Sequence, residues 1–275
     1  MTLAAGSTVE VAPPPLPRAW TQQRKIGYAL VGLWILAGIG LLIYLLLNWD
    51  PKIIERWAPA YLSGLWKTIT LVVVSIILGA LLSVPLTYAR MSKNAILSGF
   101  AYAYVYFFRG TPLLAQVFLI YYGLGSFRTQ LQAVYLWDFF KDAWNCAIFA
   151  FALNTAAYQA EILRGAIVSV ARGQWEGAAS LGLHKLQTLW KIILPQAMII
   201  ALRPYGNEII LMVKGSAVIA LITVLDLMGE TRLAFSRGYD FQAYIYAGFI
   251  YLAIVELLRN AIEWIERQIT KHLKR

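Results

Sequence analysis

Three polar side chains in one largely apolar stretch of the sequence could bind a polar solute. Asn154, Tyr158 and Glu161 are spaced i, i+4 and i+7, so a helix places them on one face. If this stretch crosses a membrane, an unpaired carboxylate there costs roughly 2.5–3.5 kcal/mol on insertion scales. Two interpretations of Glu161 stay open: it contacts substrate, or it pairs with Arg164 or a lysine of a neighbouring span to hold the bundle.

Arg109 and Gln116 flank a second point of interest, where Gly110 and Pro112 should break a helix and free backbone carbonyls to face a cavity. Arg109 either contacts substrate or caps those carbonyls. Gln116 could hydrogen-bond an amino-acid ligand, or it could link neighbouring helices.

Lys214 precedes three small residues, Gly215, Ser216 and Ala217, which would let two helices cross closely. Lys214 and Ser216 are therefore candidates for a gate or for the interface of a dimer.

The sequence lacks the residues that an enzyme, a metal site, an internal disulfide or a nucleic-acid interface would need. The sequence offers no catalytic triad and no pair of carboxylates, which argues against an enzyme. Its histidines are His184 and His272, too few for a metal cluster, and Cys146 cannot form an internal disulfide. The net charge of +10 is spread over several short loops, which excludes a nucleic-acid partner.

The composition indicates a polytopic membrane protein. Of 275 residues, 60% are hydrophobic and 14% charged, and residues 26–49 and 68–89 are uncharged runs long enough to cross a bilayer. Residues 1–25 are polar and rich in proline, which predicts a disordered cytoplasmic tail.

The sequence predicts an all-α fold with six transmembrane helices, because only closed backbone hydrogen bonding is tolerated in lipid. The spans are expected at about 26–48, 64–89, 97–124, 144–168, 204–227 and 241–262. The lysine and arginine excess then places both termini in the cytoplasm. Residues 48–62 are expected to form a helix lying on the membrane surface.

The segment 170–197 lies between the fourth and fifth spans and predicts two short helices that project into the cytoplasm. Gly182 suits a left-handed helix stop, and Pro195 should end or kink the second helix. Ala178 and Ala179 would allow another backbone to approach closely. Composition leaves open a second interpretation, an ordinary loop packed on its own helices.

The same segment resembles the coupling loop of the membrane subunits of ATP-binding-cassette (ABC) importers. That signature reads E-A-A, three residues, G, nine residues, I-x-L-P, and the residues that match it here are Glu176, Ala178, Ala179, Gly182, Ile192, Leu194 and Pro195, with Gly177 departing from it. Residues 107–124, 153–167 and 204–227 are also similar to the polar-amino-acid branch of that family. The resemblance covers 60–270 and leaves 26–49 as an additional N-terminal transmembrane helix.

The resemblance implies the transmembrane-domain fold of a type I ABC importer in a bacterial inner membrane, moving a polar, possibly cationic, amino acid or derivative inward. The expected partners are two ATPase subunits, a second permease subunit that is identical or homologous, and a periplasmic solute-binding protein. Since the sequence lacks a phosphate-binding loop, no cofactor is expected in this chain, and the ATPase partners would bind ATP and Mg²⁺.

Two other classes compete with an ABC permease. An ion-coupled secondary transporter of small polar solutes could use Glu161 and Glu256 as relays, but it should contain two related halves, and the sequence has no such repeat. A membrane scaffold that transports nothing would have no reason to project the segment 170–197.

Overall fold

The computed structural model describes residues 20–48, 51–238 and 240–271, and within these ranges it contains no β-strand. The chain divides into two compact units, Met1–Pro51 and Lys52–Arg275. The first unit contains α1 (Gln22–Leu47), which begins where the hydroxyl of Thr21 accepts a hydrogen bond from the backbone N–H of Arg24. This helix corresponds to the additional span expected at 26–49. Most of the tail expected at 1–25 lies outside the described residues.

The other helices follow in chain order. They are α2 (Pro51–Arg90), α3 (Ala95–Gly110), α4 (Leu113–Phe118), α5 (Arg128–Ala133), α6 (Trp137–Phe140), α7 (Ala143–Ser169), α8 (Arg172–Ser180), α9 (Lys185–Thr188), α10 (Leu194–Gly215), α11 (Leu227–Gly238) and α12 (Gln242–Ile269). Two π-helical turns, Leu119–Gly123 and Leu189–Ile193, and a 3₁₀ turn, Ser216–Ile222, extend α4, α9 and α10.

Five helical stretches among the described residues are long and apolar enough to cross a membrane, and the pair α3–α4, bent by 106°, provides a sixth candidate. The expectation of about six transmembrane helices is therefore confirmed. The break expected at Gly110 and Pro112 is the bend between α3 and α4. The span expected at 204–227 instead belongs to a longer stretch, Lys185–Ile222.

Among the described residues, the surface helix expected at 48–62 does not form a separate element, because α2 runs without interruption from Pro51 to Arg90. Tertiary packing explains the difference. The Tyr61 hydroxyl is buried and donates a hydrogen bond of 2.8 Å to the carbonyl of Ala243 in α12. This part of α2 is thus held within the helix bundle.

The centre of the bundle is α7, which packs against α3 and α10. Small buried side chains such as Ala150 and Ala157 let the neighbouring helices approach closely. Side chains of those helices then donate hydrogen bonds to α7 carbonyls. The Tyr104 hydroxyl donates to Leu153 O at 2.8 Å, and the Thr87 hydroxyl donates to Ala160 O at 3.1 Å.

A buried corner joins α2 to the start of α11. Asp226 accepts hydrogen bonds from the Gly229 N–H at 2.8 Å and from the Thr68 hydroxyl at 3.4 Å. Burial raises the pKa of Asp226 to about 6, and the hydrogen bonds from Gly229 and Thr68 oppose this rise. Gly64 of α2 lies directly against this corner, since an added Cβ there would be 2.8 Å from Asp226 O.

Replacing Gly64 with alanine should therefore destabilise the protein. The new methyl group would contact backbone atoms, which cannot rotate away, and overpacking of this kind costs about 1–3 kcal/mol. We expect the melting temperature of the full chain in detergent to fall. Gly99→Ala is the matched control, because no atom lies within 4 Å of its added Cβ. Equal melting temperatures for the two variants would contradict the close packing at Gly64.

Candidate functional site

Two buried side-chain amides, those of Gln116 and Asn154, donate hydrogen bonds to backbone carbonyls at the bend between α3 and α4. Gln116 Nε2 donates to the carbonyls of Phe108 at 2.9 Å and Thr111 at 3.1 Å. Asn154 Nδ2 of α7 donates to the same Phe108 carbonyl at 3.1 Å and to Gln116 Oε1 at 2.9 Å. The carbonyls freed by the break are thus capped by Gln116 and Asn154. The geometry favours the helix-linking interpretation of Gln116.

Arg109 does not cap these carbonyls, so that interpretation is wrong. Its side chain leaves the end of α3 and lies over the ring of Tyr158, with the guanidinium carbon 5.2 Å from the ring centroid. Arg109 is exposed and makes no ion pair within 4.0 Å with any residue that the structure describes. A guanidinium held against an aromatic ring keeps its donors available for a carboxylate or phosphate.

Glu161 is paired on two sides. The Nε of Arg164 donates to both carboxylate oxygens of Glu161 at 3.1 Å. The Nη2 of Arg90, at the end of α2, lies 3.6 Å from Glu161 Oε2. The sequence allowed Glu161 to pair with a lysine of a neighbouring span. The structure instead shows an arginine, Arg90 of α2, in that position. With two guanidinium groups around one carboxylate, the structural interpretation of Glu161 is the better supported.

A second carboxylate, Glu208 of α10, lies deeper in the bundle and is only 5% exposed. Its one described hydrogen bond comes from the Thr155 hydroxyl at 3.0 Å, and no described cation pairs with it within 4.0 Å. The Thr155 hydroxyl accepts in turn from Gln159 Nε2 at 3.1 Å, while the buried Gln159 Oε1 has no described partner. The cluster therefore presents two acceptors that lack a charged donor.

Our sequence reasoning did not single out Glu208. The available signal was a single acidic residue within the apolar stretch 204–222, a pattern that indicates a functional group in membrane segments.

Lys214 and Ser216 lie where α10 tightens into its 3₁₀ turn. Lys214 is exposed, whereas Ser216 is buried and donates to the carbonyl of Val213 at 2.8 Å. Gly215 permits a close approach to α4, since an added Cβ would be 3.2 Å from Leu113. The expected close crossing is present, and the role of this segment as a gate or dimer interface stays a prediction.

The segment 170–197 forms the two expected short helices. Gly182 ends α8 with a φ of +72°, while its own N–H bonds to Ala179 O and the N–H of Leu183 bonds to Ala178 O. His184 then begins α9 by accepting from the N–H of Leu186 at 3.3 Å. The turn thus satisfies its own backbone groups and fixes the angle between α8 and α9.

The coupling-loop candidates divide by exposure. Glu176, Ala179, Gly182 and Pro195 are exposed, whereas Ala178 is buried and Ile192 and Leu194 are half-buried. Ile192 packs on the cluster that joins α7 to α10. Leu181, at the tip, is 80% exposed. An apolar side chain displayed outside the spans is typical of a docking surface.

Pro195 does not end the second helix, as the sequence had suggested it could. Helical structure continues from α9 into α10, with Pro195 in the first turn of α10. The π-helical turn Leu189–Ile193 immediately precedes α10. This wider turn accommodates a proline ring and a missing N–H that a regular α-helix would not.

A bundle with a bent span, an unpaired buried carboxylate and a helix pair projecting between two spans defines a membrane transport subunit. Comparison with protein families agrees, because residues 75–271 match the family described as "Binding-protein-dependent transport system inner membrane component". The chain belongs to this family.

Individual relatives support the assignment. The chain is 40% identical over 226 residues to the nopaline transport system permease protein of Agrobacterium fabrum, covering 82% of this chain and 94% of the relative. It is 37% identical to the arginine ABC transporter permease protein of Escherichia coli K12, covering 78% and 96%. It also resembles a crystal structure of an amino acid ABC transporter with histidines, at a TM-score of 0.73 and 32% identity, covering 80% and 99%.

The protein is therefore a permease subunit of an ABC importer, a membrane component that works with ATPase subunits and a substrate-binding protein. It is not an enzyme, and the ion-coupled alternative is not favoured. An inward-facing methionine ABC transporter, 21% identical with a TM-score of 0.65, shares the fold.

Replacing Glu161 with glutamine should lower the melting temperature of the full chain in detergent, because Arg90 and Arg164 would lose their shared counter-charge. Glu256→Gln is the control, since the Glu256–Arg259 pair is exposed and contributes little. Loss of uptake at an unchanged melting temperature would instead support direct substrate contact by Glu161.

Proposed function

We propose that the protein imports an amino acid or amino-acid derivative that carries both a carboxylate and a positive charge. The observation that carries this proposal is Glu208, a buried carboxylate whose one described donor is the neutral hydroxyl of Thr155. A desolvated carboxylate without a cation is costly, so a cationic ligand group would be bound strongly there.

Arg109 supplies the complementary group. Its guanidinium is oriented by the ring of Tyr158 and has no described carboxylate partner. A planar guanidinium binds a carboxylate through two parallel hydrogen bonds, which suits the α-carboxylate of an amino acid. Arg109 and Glu208 together would select a ligand with opposite charges. The nopaline, octopine and arginine permeases among the relatives are consistent with such substrates.

The sequence candidates take different roles in this proposal. Tyr158 orients Arg109, whereas Asn154 and Gln116 hold the bend of α3 and α4 beside the path. Glu161 fixes α2 to α7 through Arg90 and Arg164. Lys214 and Ser216 would act as a gate, and the close approach of Gly215 to Leu113 supports this role.

The helices α8 and α9 would form the docking element for the ATPase. Leu181 is exposed at its tip, and Glu176 is available to pair with a cation of the partner. Because Ile192 and Trp175 pack on the cluster joining α7 to α10, a displacement of the helix pair would be passed to both spans. ATP and Mg²⁺ would be bound by two ATPase subunits, and a second permease subunit would complete the path.

The proposed location is a bacterial inner membrane with both termini in the cytoplasm. The excess of lysine and arginine in the N-terminal tail, the segment 170–197 and the C-terminal end supports this orientation. A periplasmic solute-binding protein would then deliver the substrate to the opposite side. The family match begins at residue 75, so α1 lies outside it.

Glu208→Gln should reduce uptake of labelled arginine. The amide keeps the shape of the side chain but removes the charge, and a charge-assisted hydrogen bond contributes about 1.5–3 kcal/mol, so the apparent affinity should fall roughly ten- to a hundredfold. Uptake is measured in cells or proteoliposomes that contain the complete importer.

Glu55→Gln serves as the control for this experiment, because Glu55 is exposed at the start of α2. Copurification with the ATPase subunits, together with a melting temperature no lower than that of the unchanged chain, would show that the Glu208 variant still folds and assembles. Normal uptake by that assembled variant would disprove the assigned role of Glu208.

A further inference from the structure

A groove between α10 and α12 lies outside the proposed substrate path. The two helices run antiparallel and touch at Gly206, where an added Cβ would be 2.6 Å from a methyl carbon of Ile262. The cavity beside this contact has a volume of about 620 Å³. Because α8 and α9 directly precede α10, the groove opens at the same end of the bundle as those helices.

Charged side chains line the groove, and they are not evenly balanced. Three arginines and two glutamates face it, namely Arg203, Arg259, Arg267, Glu263 and Glu266. Arg259 pairs with Glu256 at 2.7 Å and Arg267 pairs with Glu263 at 3.2 Å, so these two arginines are neutralised within α12. The lining residues themselves carry one more positive than negative charge, and Arg203 of α10 supplies it.

Arg203 is the most available of these cations. Its Nε donates to both oxygens of Glu266, at 2.8 and 2.9 Å, which fixes the side chain across the groove. Its two terminal nitrogens have no hydrogen-bond partner among the described residues, and the side chain is 79% exposed. A guanidinium held in this way presents free donors to an anion.

The surface next to the charged groove is apolar. On α12 the face that carries Arg259 continues toward the middle of the span through Leu252 and Phe249, at helical spacing. Both side chains are exposed, and Trp264 is exposed near the charged end. A cationic head region followed by an apolar track, with tryptophan close to the boundary, matches the shape and polarity of a phospholipid.

We propose that this groove binds the phosphate of an anionic membrane phospholipid, with its acyl chain along the apolar face of α12. A soluble anion would gain nothing from Leu252 and Phe249. A zwitterionic lipid would bind less well, because its cationic group would lie close to the exposed guanidinium of Arg203. The bound lipid would clamp α10, which follows the docking helices, to α12.

The test uses the full chain in detergent and titrates phosphatidylglycerol, phosphatidylcholine or inorganic phosphate while the melting temperature is recorded. We expect phosphatidylglycerol to raise the melting temperature, with little effect of the other two. Arg203→Gln should weaken the apparent affinity for phosphatidylglycerol about fivefold, since one arginine near an anionic surface is worth about that factor.

Glu266→Gln is the matched variant. It breaks the same Arg203–Glu266 ion pair but leaves the guanidinium in place, so the affinity for phosphatidylglycerol should stay the same or rise. Arg128→Gln, in α5 on the other side of the membrane-crossing part, should change nothing. Equal responses to the two lipids, a response to phosphate, or an equal loss in the Arg203 and Glu266 variants would overturn the proposal.

Discussion

The structure depends on one constraint, which is that polar groups inside a membrane protein must find partners within the protein. The bend at Thr111 and Pro112 interrupts the backbone ladder of α3 and α4 and exposes carbonyl oxygens. Gln116 and Asn154 satisfy them, and their mutual hydrogen bond ties the bend to α7. This fixed bend determines where Arg109, at the end of α3, can reach.

The same constraint separates the two carboxylates of the spans. Glu161 forms ion pairs with Arg90 and Arg164, so residues of the chain itself offset the cost of burying its carboxylate. Glu208 is more deeply buried and receives one neutral hydrogen bond from Thr155. A buried carboxyl group that has no described ion-pair partner within 4.0 Å is available to a cationic ligand group, which makes Glu208 the more informative residue for function.

The sequence was sufficient for features that depend on local chemistry. Apolar run length predicted six spans, Gly110 and Pro112 predicted the bend, and Gly182 predicted the left-handed turn, because each feature follows from backbone or solvation rules acting over a few residues. The helix pair at 170–197 was predicted for the same reason.

Features that depend on tertiary contacts were not predictable. The start of α2 belongs to the bundle because Tyr61 reaches Ala243, and the second partner of Glu161 is Arg90, which is 71 positions away in sequence. The helix continues through Pro195 because a π-helical turn precedes α10, and no residue type in the sequence predicts such a turn. The sequence shows that Glu208 is acidic. Which partners surround its carboxyl group, however, depends on how α10 packs against α7.

In an ABC importer, ATP hydrolysis in the partner subunits drives the movement of solute through the permease subunit. The most direct measurement is uptake of labelled arginine into proteoliposomes containing the chain with its copurified partners and binding protein, with ionophores present to collapse proton and sodium gradients. We expect uptake that requires ATP and the ATPase subunits and that the ionophores do not affect. Uptake by the chain without its ATPase, driven by an ion gradient, would contradict this expectation.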